Sequence, residues 1–128
     1  MPNKACILIV DDDPDFVETT KLVLESAAYE VLVARDGGEG LQAARARKPD
    51  LVLLDIIMPV RDGLDTAEQF KKDPDLKQVP VLMLTSFSSK SPGTSIARGR
   101  GLMLEAEDYI EKPVSPEDLL AKVKSYLP

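Results

Sequence analysis

Short, almost wholly aliphatic runs alternate along the chain with longer stretches in which apolar residues return every three or four positions. Residues 5–10, 30–34, 51–54, 79–84 and 109–110 read as five strands. The first, third and fourth show no polar alternation, which is the pattern of central strands covered on both faces of a parallel sheet. The stretches between them carry helix signals. Asp13-Pro14 is an N-cap followed by proline at the first helical position, and Phe16, Thr20, Val23 and Ala27 then share one face up to about Ala28. Asp36, with Glu39 three residues on, opens a second helix in the manner of a capping box. Leu41 and Ala44, with Ala43 beside them, face inward before Lys48-Pro49 stops it. A third helix is predicted over 65–72, ending near Asp73-Pro74. The last opens at Ser115-Pro116, with Asp118 at the reciprocal capping position, and turns Leu119, Leu120, Val123 and Leu127 inward.

Strand and helix in steady alternation imply right-handed crossovers and a doubly wound α/β sheet with helices on both faces. Residues 86–104 depart from that rhythm. Ser86, Ser88, Ser89 and Ser91 precede Pro92 and Gly93, and Gly99 and Gly101 break up the second half of the segment. Glycine weakens a continuous helix, so the helix between the fourth and fifth strands is expected to be short or irregular.

Length and composition narrow the function. The chain has 128 residues and 14.0 kDa, the size of one domain, expected to span residues 1–128. The longest apolar run, Ala5 to Val10, is six residues, against the roughly 20 that a membrane-spanning helix needs, so no membrane role is expected. A lone Cys6 closes no internal disulfide, and a reducing cytoplasm is the expected compartment. A net charge of −6 argues against direct nucleic-acid binding. The absence of histidine excludes most: Ser-His-Asp and Cys-His nucleophilic sites, histidine-ligated zinc and a phosphohistidine carrier all go. Chemistry here is left to carboxylates, hydroxyls, lysine and oxygen-loving metals.

In an open parallel sheet, ligands bind beyond the carboxyl ends of the strands. The first strand ends in Asp11-Asp12-Asp13, the third in Asp55, the fourth in Thr85-Ser86, and the fifth runs into Lys112-Pro113. Carboxylates gathered at one edge repel one another unless a cation joins them, and carboxylate oxygen suits Mg²⁺. Such a metal neutralises an incoming phosphoryl group, Lys112 and Thr85 can hold its oxygens, and an in-line aspartate is a nucleophile for phosphorus. Asp55 stands among Leu51–Leu54 and Ile56-Ile57-Met58, where an isolated carboxylate is costly to bury, which favours a working role over a turn-forming one. Asp13 is more simply a cap, and Asp15 a first-turn acid favoured by the helix dipole.

These four strand-end motifs, ILIVDDDP, LVLLDIIMPVRDG, VLMLTS and DYIEKP, resemble in order and over essentially the whole chain the receiver domain of two-component response regulators. The resemblance implies the flavodoxin-like strand order 2-1-3-4-5. It makes Asp55 the phospho-acceptor, Asp11 and Asp12 the acidic pair that positions Mg²⁺, and the Ile57 backbone carbonyl the group completing the metal shell. Thr85 becomes the switch hydroxyl, Lys112 the phosphate-binding lysine, and Tyr109 the aromatic that changes rotamer with Thr85. Tyr109 is equally readable as packing on a short edge strand. The implied reaction moves a phosphoryl group from a sensor histidine kinase or phosphotransfer protein to Asp55. Phosphorylation then switches the surface around the fifth strand and the helices on either side of it to control a downstream effector, with a phosphorylation-dependent homodimer as one outcome. Such a domain is no enzyme in the usual sense, although it promotes its own aspartyl phosphorylation and dephosphorylation.

Departures from the family pattern fall in one region. The stretch from Thr85 to Lys112 is a few residues longer than usual, and Glu105-Ala106 replaces the customary glycine-alanine. Ser86 stands where alanine is common. Ile57 and Phe87, apolar and bulky, offer nothing to orient a hydrolytic water, so a comparatively long-lived phosphoaspartate is expected. Two rival functions remain at this level: a haloacid-dehalogenase-type phosphatase, and a receiver-like scaffold that is never phosphorylated. Against the first, Asp15 replaces the Thr or Val its motif expects, no acidic pair follows Lys112, and no cap domain is present. Against the second stand intact Asp11, Asp12, Asp55, Thr85 and Lys112.

Overall fold

The computed structural model describes residues 4–55, 63–85, 108–112 and 114–127. Within them lie β1 (Cys6–Val10), α1 (Pro14–Ser26), β2 (Glu30–Ala34), α2 (Gly37–Ala46), β3 (Leu51–Asp55), α3 (Gly63–Lys72), β4 (Val81–Thr85), β5 (Asp108–Glu111) and α4 (Pro116–Ser125). The strands form one five-stranded parallel sheet in the order β2-β1-β3-β4-β5. The doubly wound sheet and its strand order are those expected. The short or irregular helix expected within 86–104 lies outside the described residues.

Alternation along each strand sorts the core into two layers. Leu8, Val10, Val52, Leu54, Val81 and Met83 face α2 and α3, where Leu41, Ala44, Ala67 and Phe70 meet them. Ile7, Ile9, Leu51, Leu53, Leu82, Leu84 and Ile110 face α1 and α4, and pack on Leu24, Leu119 and Val123. All of β1 and β3 is buried, as aliphatic runs without alternation require.

Three caps form where the residues call for them. The Asp13 carboxylate accepts from the N–H groups of Asp15 and Phe16, and Ser115 Oγ accepts from Asp118 N–H. Asp36 accepts from Glu39 N–H, while the Glu39 carboxylate reaches the N–H of Arg35 rather than that of the cap itself. Other boundaries shift for physical reasons. Val79 is buried but precedes β4, because Pro80 has no N–H for the ladder and contributes only its carbonyl, to Val52. Helix α1 stops at Ser26, short of Ala28, in a Schellman turn: Ala28 N–H reaches the Glu25 carbonyl, Tyr29 N–H reaches that of Leu24, and Ala28 takes φ 69°. Its inward face includes Leu24, fully buried, beyond the four positions expected.

Helix α4 is tied to β5 by a small polar cluster. The Asp108 carboxylate accepts from Tyr109 N–H, Lys122 Nζ and Tyr126 OH at 2.8–3.0 Å. Burial pushes this carboxyl up, but the three donors outweigh it and hold Asp108 below the usual carboxylate range. Among the described residues, no helix is long and apolar enough to cross a membrane.

Candidate functional site

The register of the sheet places the key carboxylates before any side chain is considered. Val10 pairs with Leu54 across β1 and β3, so Asp11 and Asp55, each one residue further on, sit level on adjacent strands. Strands lie about 4.8 Å apart, and both residues fall on the α1/α4 face of the sheet by alternation. The side chains converge accordingly: Asp11, Asp12 and Asp55 each offer an oxygen within 4.8 Å of the other two. Asp11 and Asp55 are buried, at 1% and 6% exposure, whereas Asp12 opens to solvent.

Asp11 is held in place from below and from the side. Its backbone N–H donates to the Ala34 carbonyl of β2, and its Oδ1 accepts from Asp13 N–H at 2.9 Å. That leaves Oδ2, which meets the Lys112 ammonium at 2.6 Å. The same ammonium lies 3.6 Å from Asp55 Oδ2. Lys112 reaches this position from the end of β5, where its backbone N–H donates to the Thr85 carbonyl at 2.6 Å. Among the described residues, the Lys112 ammonium thus faces both buried carboxylates at once.

Four of the residues singled out from sequence are therefore together: Asp11, Asp12, Asp55 and Lys112. Thr85 closes β4, partly exposed at the same edge, and by alternation it belongs to the opposite face of the sheet with Met83. Tyr109 pairs with Met83 and packs on that same α2/α3 layer. Thr85 and Tyr109 thus share a face of their own, one strand apart. Ile57, Ser86 and Phe87 lie outside the described residues. Sequence reading missed one participant, Phe16, which it assigned only to the helix's inward face. The Lys112 ammonium sits 4.3 Å from the centroid of the Phe16 ring. The available signal was its place, three residues past the Asp13 cap, where the first turn of α1 overhangs the end of β1.

The donor set fits a divalent cation of the Mg²⁺ class: carboxylate oxygens only, on three residues, one of them solvent-exposed. Comparison with known proteins agrees. The family model for the response regulator receiver domain matches residues 7–124. The chain belongs to that family. PilH of Pseudomonas aeruginosa is 38% identical over 123 residues, which are 96% of this chain and 98% of PilH. The alkaline phosphatase synthesis transcriptional regulatory protein PhoP of Bacillus subtilis is 37% identical over 121 residues, 94% of this chain but 48% of PhoP. The chain spans about half the length of PhoP and of the DNA-binding response regulator MtrA of Mycolicibacterium smegmatis. Among solved structures, chemotaxis protein CheY4 of Vibrio cholerae superposes with a TM-score of 0.84 at 31% identity, covering 98% of this chain and 100% of CheY4. The response regulator TrrA of Thermotoga maritima, solved in complex with Mg²⁺-BeF, has a TM-score of 0.82 at 32% identity, covering 96% and 99%. This chain is thus a receiver domain of two-component signalling, and neither the phosphatase nor the unphosphorylated scaffold finds support among these relatives.

Proposed function

We propose that this receiver domain takes a phosphoryl group onto Asp55 with the help of Mg²⁺, and that residues 1–128 act as a single domain in doing so. The observation that carries this reading is the level pair Asp11 and Asp55, joined by exposed Asp12 on one side and bridged by Lys112 on the other. Asp11, Asp12 and Asp55 would hold the cation, together with the Ile57 carbonyl that the family resemblance adds. When bound, Mg²⁺ supplies positive charge that the three carboxylates and an incoming phosphoryl group both lack.

The protein's own groups do the rest. An Asp55 oxygen attacks phosphorus, the new O–P bond forms as the N–P bond to the donor's imidazole breaks, and the freed imidazole nitrogen takes up a proton. Lys112 moves its ammonium from the carboxylates to the phosphoryl oxygens. Thr85 contributes its hydroxyl from the end of β4, and its shared face with Tyr109 supports coupled movement of the two toward the surface around β5. With no histidine of its own, the chain depends on a histidine kinase or phosphotransfer protein as donor, and its output passes to a downstream effector. Ile57, Ser86 and Phe87 tune the lifetime in this reading, and the two bulky apolar side chains favour a slow loss of phosphate. The chain thereby promotes its own phosphorylation and dephosphorylation without turning over a free substrate.

The test is incubation with Mg²⁺ and acetyl phosphate, followed by mass mapping. One phosphoryl group per chain on Asp55, absent in Asp55→Asn and without Mg²⁺, is the expected result. Label on another residue, or sustained turnover of a phosphate ester with no retained label, contradicts it.

A further inference from the structure

The geometry points to Phe16 as a positioning residue for Lys112: its ring holds the ammonium on the Asp11–Asp55 pair, so that cation entry must displace it and the ring sets how readily that happens. This rests on the reading of the acidic cluster as a divalent-cation site. Three contacts fix the ammonium, to Asp11 Oδ2 at 2.6 Å, to Asp55 Oδ2 at 3.6 Å and to the Phe16 ring centroid at 4.3 Å. The Lys112 side chain is 13% exposed, so its positive charge has given up most of its water for these neighbours. An aromatic face attracts such a cation more strongly the less water it retains.

The ring is built into the site by a short chain of hydrogen bonds. Asp11 Oδ1 accepts from Asp13 N–H, and the Asp13 carboxylate in turn accepts from Phe16 N–H. The strand end and the first turn of α1 therefore move together, and the half-buried ring packs on the α1/α4 layer of the core. Oδ1 of Asp11 accepts from Asp13 N–H, and Oδ2 is held by the Lys112 ammonium. A divalent cation bound by Asp11 and the ammonium then draw on the same carboxylate. An aliphatic side chain at position 16 keeps the packing and removes the electron-rich face.

Calorimetric titration with Mg²⁺ of the parent, Phe16→Leu and Phe16→Tyr tests this, alongside the NMR shift of the Lys112 side chain in the metal-free proteins. Phe16→Leu is expected to bind Mg²⁺ about two- to fivefold more tightly and to lose the upfield ring-current shift at Lys112, while Phe16→Tyr keeps both parent values. Unchanged or weaker Mg²⁺ binding in Phe16→Leu, or a Lys112 shift that is the same in all three, overturns the role given to Phe16 alone. A parent that binds no Mg²⁺ overturns the cation site, and this inference with it.

Discussion

Opposite-charge pairs occur at both edges of the sheet, and they differ in kind. At the amino edge, Arg47 meets Glu30 where β2 begins, with both side chains substantially exposed, and the nearby Asp50 carboxylate accepts from Cys6 N–H at the start of β1. Water screens the Arg47–Glu30 pair there. At the carboxyl edge, the Asp11 side chain is wholly buried, and two carboxylates divide one ammonium. Exposed pairs contribute little to stability, whereas a buried group robbed of its partner is expensive. The amino edge thus carries its ion pair in water, whereas the carboxyl edge gathers Asp11, Asp12 and Asp55 within 4.8 Å of one another, with the Lys112 ammonium against the two buried ones.

The sharpest way to break that comparison is to remove the shared cation. Lys112→Met leaves Asp11 buried opposite Asp55, and unfolding in urea without divalent metal should show a loss of about 3–5 kcal/mol. Adding Asp55→Asn should return part of it, because the repulsion goes with the charge. A loss no greater than that from an exposed pair would erase the difference between the edges.

Next in size is the packing that sets the carboxyl edge. A Cβ on Gly40 of α2 would come 2.8 Å from Val10 Cγ2 and 3.3 Å from its Cγ1, on the last residue of β1 before Asp11. Valine is stiff at χ1 and cannot swing aside. Gly40→Ala should therefore cost about 1–3 kcal/mol in denaturant unfolding. It should also weaken Mg²⁺ binding, since α2 must lift from the strand that carries Asp11.

A smaller effect is pH-dependent and belongs to the start of β5. Asp108 has a lowered pKa in the folded chain, so the folded state binds fewer protons here than the unfolded one. Its contribution is present above the ordinary aspartate pKa of about 3.9 and is lost as pH falls through the lowered folded value. Stability of Asp108→Asn should accordingly fall less steeply with acidification over that window than the parent's. Equal slopes in the two would show that the cluster with Lys122 and Tyr126 does not favour the charged form. Smallest of all is Arg47→Ala at the amino edge, expected to leave the unfolding midpoint within error in moderate salt.

Much of this was legible in the residues, because it is local. The Asp13, Asp36 and Ser115 caps and the aliphatic runs of β1, β3 and β4 depend on neighbours a few positions away. Pro80 misled for the same reason: hydropathy extends β4 back to Val79, whereas the missing N–H starts it at Val81. The acidic cluster was legible only as a set of strand ends. That Asp11 and Asp55 stand level depends on the Val10–Leu54 register, which no single segment encodes. The contact between Phe16 and Lys112 joins the first helix to the last strand, and Phe16 by itself reads as one more core residue.

The central claim is that a divalent cation completes the charge balance at Asp11, Asp12 and Asp55. Titrating the intact chain with Mg²⁺ while following its thermal unfolding tests this most directly. The account predicts a rise in Tm that grows with the logarithm of Mg²⁺ concentration, equivalent to about 2.7 kcal/mol at a hundredfold excess over Kd, which disappears in the Asp11→Asn, Asp55→Asn double variant. A parent whose Tm ignores Mg²⁺, or a double variant that responds as the parent does, would contradict it.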